Sequence, residues 1–151
     1  DEPVRLKWPN DVYIRQRKAC GILIELPPER KQVIVIGIGV NVNNTVKDAP
    51  AELQTSATAL CDVADRDFSL IEVLTAVLQS VDERLSWIGH RDDELRNRWR
   101  KRCMLTGKDV TIRFGTRTVA GSCHGIDDQG ALMIETDGQM EHFYSGVVTE
   151  F

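Results

Sequence analysis

Ile36-Gly37-Ile38-Gly39-Val40-Asn41-Val42-Asn43-Asn44 is the stretch on which the reading of the fold turns. Two glycines at alternate positions after an aliphatic run invite a dinucleotide-binding fingerprint, in which a strand ends in a glycine turn and a helix opens over a pyrophosphate. Val42 stands where the third glycine belongs, and polar Asn43-Asn44-Thr45 follows where the helix should start. A strand remains. Side chains alternate along a strand, so Gly37 and Gly39 share one face and leave it bare for a flat ligand.

Outward toward the N-terminus, residues 4–7, 12–15, 18–26 and 32–42 read as strands. Pro9-Asn10-Asp11 and Pro27-Pro28-Glu29-Arg30 divide them, because proline fixes φ and Asn or Asp side chains bond the local backbone. Ile22-Leu23-Ile24 and Val33-Ile34-Val35-Ile36 are continuously apolar, which suits strands covered on both faces. In Lys7-Trp8-Pro9-Asn10-Asp11 an aromatic and a proline stiffen a turn that points an amide and a carboxylate outward, although a purely structural turn favours the same residues. In Arg17-Lys18-Ala19-Cys20-Gly21-Ile22-Leu23-Ile24-Glu25 a cation stands at the mouth of an apolar strand, with a glycine three residues inside. Glycine weakens a strand interior, so Gly21 marks either a bulge or a close approach by a bound group.

Toward the C-terminus the period changes. Ser69 and Glu72 form a capping box, and Ile71, Leu74, Leu78, Val81, Leu85 and Ile88 recur at helical spacing, which predicts a helix over 69–88. A second helix begins near Asp92-Asp93, carries Leu95 and Trp99, and stops before Thr106-Gly107. Residues 55–60 are expected to add a helical turn or two. From Lys108 onward short alternating strands over 110–114, 117–122, 131–136 and 140–144 are separated by Gly115-Thr116, Asp127-Asp128-Gln129-Gly130 and Asp137-Gly138, the pattern of a small antiparallel barrel. The class is α+β, with a boundary near Met104.

Composition excludes several functions. With 42% hydrophobic and 28% charged residues in 151, the chain is ordinary for a globular protein. No apolar run approaches the roughly 18 residues that span a bilayer, and Asp1-Glu2-Pro3-Val4 opens no secretion signal. A formal charge of -4 argues against sequence-independent binding of nucleic acid. Arg96, Arg98, Arg100, Lys101 and Arg102 crowd one helix, where such cations form a solvated face or, alternatively, a surface for an acidic partner. Cys20, Cys61, Cys103 and Cys123 are dispersed, so reduced, cytosolic thiols are expected. Neither they nor His90, His124 and His142 have metal-ligand spacing, and no protein-built metal site is expected.

The order K-W-P-N-D at 7–11, R-K-x-x-G-I-L-I-E at 17–25 and I-G-I-G-V-N at 36–41, then G-I-D-D-Q-G-A-L at 125–132 and S-G-V-V at 145–148, resembles the biotin-protein ligase family over nearly the whole chain. The resemblance implies part of a catalytic domain similar to class II aminoacyl-tRNA synthetases over 1–103, a mixed sheet with helices, followed by an SH3-like barrel over 104–151. It implies joining of biotin to ATP as biotinyl-5′-adenylate, then transfer to one lysine of a biotin carboxyl carrier domain. Lys18 matches the lysine that meets the biotin carboxylate and reacting phosphate; Gly21 and Gly37 match glycines bordering the biotin ring. Asn10 and Asn41 match amides that hold the adenylate, and Asp11 a carboxylate near the acceptor lysine. Mg²⁺ would arrive with ATP, held mainly by phosphates.

This sequence also departs from the family. No glycine- and arginine-rich loop stands ahead of K-W-P-N-D, so the chain reads as beginning in mid-domain and is expected to be inactive alone. Ser145-Gly146-Val147-Val148 lacks the second glycine and the glutamate of some relatives. Two rival readings are a non-catalytic docking or dimerisation module and a lipoate ligase relative. A homodimer is compatible with each.

Overall fold

The structure, a computed structural model, describes residues 4–29 and 32–151; Arg30 of the expected second turn lies outside the described residues. In chain order it contains β1 (Val4–Lys7), β2 (Asp11–Ile14), β3 (Arg17–Glu25), β4 (Val35–Val40), α1 (Ala51–Ser56), α2 (Leu60–Ala64), α3 (Leu70–Leu85), α4 (Asp92–Arg102), β5 (Asp109–Phe114), β6 (Arg117–Ile126), β7 (Leu132–Thr136), β8 (Gln139–Phe143) and β9 (Val147–Glu150). Two compact units emerge. One holds Asn10–Leu85, and the other Arg5–Pro9 with Ser86–Phe151.

In the first unit β2 pairs with β3, and β3 with β4, all antiparallel. The β2–β3 hairpin turns on Arg15 and Gln16, both at positive φ of 50° and 63°, the two-residue geometry whose twist matches the flanking strands. Beyond β4, the helical turn expected over 55–60 is not continuous: α1 ends at Ser56, α2 begins at Leu60, and residues 57–59 between them are not helical. α3 begins where the capping box puts it, the Glu72 amide donating to Ser69 Oγ at 3.4 Å.

Cover for the apolar residues differs from expectation. None of the α3 residues is buried, and Leu70, Ile71, Leu74 and Leu78 are each more than half exposed. Leu23, Ile24, Val35 and Ile36 are exposed as well. Periodicity identifies which side chains favour burial; whether this chain supplies the surface that buries them is a separate matter. Among the described residues it does not.

The second unit is better filled. Its sheet runs β8-β7-β6-β5-β9, and alternate residues of these strands point inward. Ile112, Leu132, Ile134 and Leu105 are fully buried. The basic cluster on α4 is matched by acids: Arg96 pairs with Asp93 at 2.6 Å, Arg98 with Glu94 at 2.6 Å and Arg100 with Asp128 at 2.8 Å. Lys7 and Trp8 also belong to this unit. Lys7 Nζ donates to the Val148 carbonyl at 3.0 Å, and buried Trp8 donates its indole N–H to the Gly130 carbonyl at 3.1 Å. The turn that receives Trp8 is tied by Asp127, whose carboxylate accepts from the Gln129 and Ala131 amides and meets His142 Nδ1 at 2.8 Å. The His142 contact, then the backbone donors, hold that carboxyl below the usual carboxylate range.

Gly121 has no room for a side chain. A Cβ there would collide with the Glu135 carbonyl oxygen, and would stand 2.6 Å from Thr136 Oγ1 and 2.8 Å from Ile134 Cγ2. Overpacking of this kind costs about 1–3 kcal/mol. Gly121→Ala should therefore lower the melting temperature of the second unit by about 4–8 °C per kcal/mol lost. Circular dichroism melts decide this, and an unchanged midpoint would mean that β6 and β7 separate freely.

Candidate functional site

β2 and β3 place the lysine and the carboxylate together through a single irregularity. Asp11 lies opposite Gly21 and Val12 opposite Cys20, but Tyr13 lies opposite Lys18, so Ala19 is the extra residue of a bulge. Lys18 is three residues from Gly21, and on a regular strand it would point to the other face. The bulge returns it to the face of Asp11 and Gly21. Lys18 Nζ then stands 2.6 Å from Asp11 Oδ1, the lysine side chain 44% exposed and the carboxylate 20%. An ion pair this wet is worth about 0–1 kcal/mol, so another anion can take the lysine at little cost.

Glycine forms the floor beneath this pair. A Cβ on Gly21 would meet Lys18 Cε and Nζ at 3.3 Å and Asp11 Oδ1 at 3.5 Å. Across the ladder Gly39 faces Gly21 and Gly37 faces Leu23, on the same side of the sheet. At Gly37 and Gly39 an added Cβ would meet nothing closer than 3.8 Å. Packing within the chain therefore does not require glycine at either position. Tyr13 and Cys20 flank the pair; burial, and after it the charge of Asp11, push the phenol and the thiol up, which keeps both protonated.

The two asparagines are tied to the backbone around this floor. Asn10 Nδ2 donates to the Ile22 carbonyl at 2.6 Å while the Ile22 amide donates back to the Asn10 carbonyl at 2.9 Å, so Asn10 clamps β3 beside Gly21. Asn41 ends β4: its amide donates to Ala19 O at 2.9 Å, its Nδ2 to Thr58 O at 3.2 Å, and its Oδ1 accepts from Asn44 Nδ2 at 3.0 Å. Lys18, Asp11, Gly21 and Gly39 are thus brought together, Gly37 extends the bare face along β4, and Asn41 closes its end. The K-W-P-N-D motif divides in function. Lys7 and Trp8 hold the second unit, while Asn10 and Asp11 serve the floor.

Thr58 is a residue that sequence reasoning passed over. It is fully buried, its amide donates to Lys18 O at 2.9 Å, its carbonyl takes Asn41 Nδ2, and its hydroxyl has no partner among the described residues. A buried hydroxyl left unpaired costs about 1–3 kcal/mol. No motif flags such a residue, because the contact that singles it out joins segments 17 and 40 positions apart in the chain.

A separate open cleft of about 360 Å³ is lined by Thr45, Lys47, Cys61, Asp62, Asp65, Arg66 and Asp67. Asp62 there accepts from the Thr45 hydroxyl at 2.6 Å and the Val46 amide at 2.9 Å, bonds that hold its carboxyl below the usual range and give it a structural task. None of the six candidate residues lines that cleft. Among the described residues no group of His, Cys, Asp and Glu is arranged for a metal ion, all four cysteines are free thiols, and no helix is long and apolar enough to cross a membrane.

Comparison with known proteins accounts for both units. The profile of the Biotin/lipoate A/B protein ligase family matches residues 1–41, and that of the Biotin protein ligase C terminal domain matches residues 106–149. The bifunctional ligase/repressor BirA of Bacillus subtilis is 33% identical over 143 residues, covering 93% of this chain and 44% of that protein. The chain belongs to the biotin-protein ligase family. The biotin--[acetyl-CoA-carboxylase] ligase of Mycobacterium tuberculosis is 31% identical over 135 residues, 89% of this chain and 48% of that protein. The biotin protein ligase of Aquifex aeolicus in complex with biotin and ATP superposes with a TM-score of 0.83 at 30% identity, covering 97% of this chain and 61% of that one. The fold is accordingly α+β, part of a class II synthetase-like domain followed by an SH3-like barrel. The chain spans about half the length of the curated relatives it matches.

Proposed function

We propose that this chain carries part of the active site of a biotin-protein ligase, which joins biotin to ATP as biotinyl-5′-adenylate and passes the biotinyl group to a lysine of a biotin carboxyl carrier domain. One observation carries the reading: a displaceable ammonium and a carboxylate held over a glycine floor that, at Gly37 and Gly39, the chain's own packing does not require. Residues 1–103 are assigned to the synthetase-like part and 104–151 to the barrel.

In this reading the biotin ring lies on the backbone of Gly21 and Gly37, where a side chain would occupy its place. Lys18 leaves Asp11 for the biotin carboxylate and the α-phosphate, whose negative charges are brought together as the carboxylate oxygen bonds the α-phosphorus, the α–β phosphoanhydride bond breaks and pyrophosphate leaves. Asn10 and Asn41 border the adenylate, Asn41 with a second amide hydrogen beyond the one given to Thr58. Mg²⁺ comes with the phosphates of ATP. Release from Lys18 leaves the Asp11 carboxylate beside the acceptor lysine, whose amine, with a free pKa of about 10.4, must lose a proton to attack the acyl carbon. AMP then departs.

Parallel assays of the complete product of the gene test this. Biotinyl-adenylate formation and carrier labelling are measured side by side, for wild type and for Asp11→Asn. The variant should lose about tenfold or more in labelling, within the usual range for a general base, while adenylate formation changes much less. Equal losses in both steps would tie Asp11 to the ATP side or to the turn alone. Competition by lipoate at the concentration of biotin would favour the lipoate reading, and a protein that forms no adenylate would favour a docking module.

A further inference from the structure

Residues 57–60 form a strap that stitches together the two strands carrying the candidate site. Ala57 bridges Lys18 in parallel, the Thr58 amide donates to the Lys18 carbonyl at 2.9 Å, and the Leu60 amide donates to the Asn41 carbonyl at 2.9 Å. The Thr58 carbonyl holds the Asn41 side chain, and the Asn41 amide in turn donates to Ala19, next to Lys18. The residue bearing the cation and the residue closing the glycine floor therefore share one anchor. At its centre stands a hydroxyl with no surface exposure and no hydrogen-bond partner among the described residues.

Valine has nearly the shape of threonine and carries no polar atom to leave unsatisfied. On stability alone, valine would serve this position as well or better. A buried hydroxyl left unmet calls for an explanation, and a second state of the molecule in which it is met supplies one. The groups nearest in the bonding pattern are the Asn41 amide, which the proposed ligand would engage, and the main chain of Lys18, whose ammonium that ligand would draw away from Asp11. We propose that Thr58 is a positioning residue for the adenylate site: its backbone sets Lys18 and Asn41 in register, and its hydroxyl gains a partner when Asn41 turns its amide to the adenylate. This rests on the biotin-ligase reading above.

The inference predicts opposite signs for stability and binding. In the unliganded chain Thr58→Val should melt at the wild-type temperature or higher, since it removes an unpaired polar atom. For biotinyl-5′-adenylate the same variant should bind about tenfold more weakly, equivalent to about 1.4 kcal/mol, and Thr58→Ser should restore most of the affinity. Amide resonances of Asn41 and Thr58 followed by NMR during titration of the complete gene product report even millimolar binding, and thermal melts supply the other sign. A Thr58→Val chain that binds like wild type would sink this role while leaving the ligase reading intact. Loss of several degrees in its melting temperature would also overturn it, because the hydroxyl would then be in use without ligand. Wild-type resonances that do not move at millimolar adenylate would remove both the ligase reading of this site and the role of Thr58.

Discussion

Replacing Lys18 with alanine in the complete gene product is expected to lower biotinyl-adenylate formation a hundredfold or more. The reaction forces a carboxylate against a polyphosphate, and a cation about 4 Å from an anion is worth roughly 4 kcal/mol at an effective dielectric near 20. Removing one such preorganised contact from a transition state costs about 10²–10³ in rate. Its neighbours on that face cannot replace it: Asp11 is an anion, and Gly21, Gly37 and Gly39 contribute only backbone. Folding should be little affected, since the Lys18–Asp11 pair is half exposed on the lysine side. Lys18→Arg keeps the charge on a larger, planar group and should recover only part of the rate. Pyrophosphate release, read together with the melting temperature, separates the two effects, and an alanine variant within threefold of wild type would take Lys18 out of the site.

Lys18 was legible in the sequence as a cation at the mouth of a glycine-bearing strand; the reason it points at Asp11 was not. Composition and spacing put a cation near a strand glycine, but only the ladder reveals that Ala19 is an extra residue, and that this bulge turns Lys18 onto the glycine face. The alternation of Gly37 and Gly39 did predict a shared bare face, because a strand's two-residue period is a local property. Asn10 and Asn41 were found as residues, yet their backbone ties span 12 and 17 positions and leave no local trace. Thr58 illustrates the limit more sharply. An alanine-threonine-alanine segment reads as filler until its amide and carbonyl are seen to join Lys18 and Asn41.

Among the elements, the capping box fixed the start of α3, and glycine turns fixed the hairpins of β5 to β8, since each signal acts within a few residues. β9 escaped because Val147–Glu150 is only four residues long and pairs with β5 at a distance in sequence. The β2–β3 hairpin offered no Asn-Gly or Asp-Gly; Arg15 and Gln16 take up positive φ without either. Ile22-Leu23-Ile24 is the instructive miss. Its apolar run correctly announced a strand, but the expected cover on both faces is not supplied among the described residues, where Leu23 and Ile24 stand exposed.

That exposure leads to the second large effect: the 151-residue chain by itself should label no carrier. Leu70, Ile71, Leu74 and Leu78 on α3, together with Leu23, Ile24 and Ile36 on the sheet, stand open to solvent, while the second unit buries Ile112, Leu132, Ile134 and Phe143. The barrel should therefore keep its cooperative melt and its protected amides in β5 to β8. The first unit should exchange its amides quickly and associate through its apolar faces. Chemistry suffers further, because a well-oriented site supplies roughly 7–11 kcal/mol of a barrier, and orientation requires the reacting groups to be held on every side. Lys18 and a glycine floor hold one side. Incubating the chain with biotin, MgATP and a carrier domain, with hydrogen exchange followed in parallel, tests both halves of this expectation. Robust labelling by the 151 residues would show that the site needs no more than this chain provides, and slow exchange throughout β4 and α3 would show that the exposed faces find cover in solution after all.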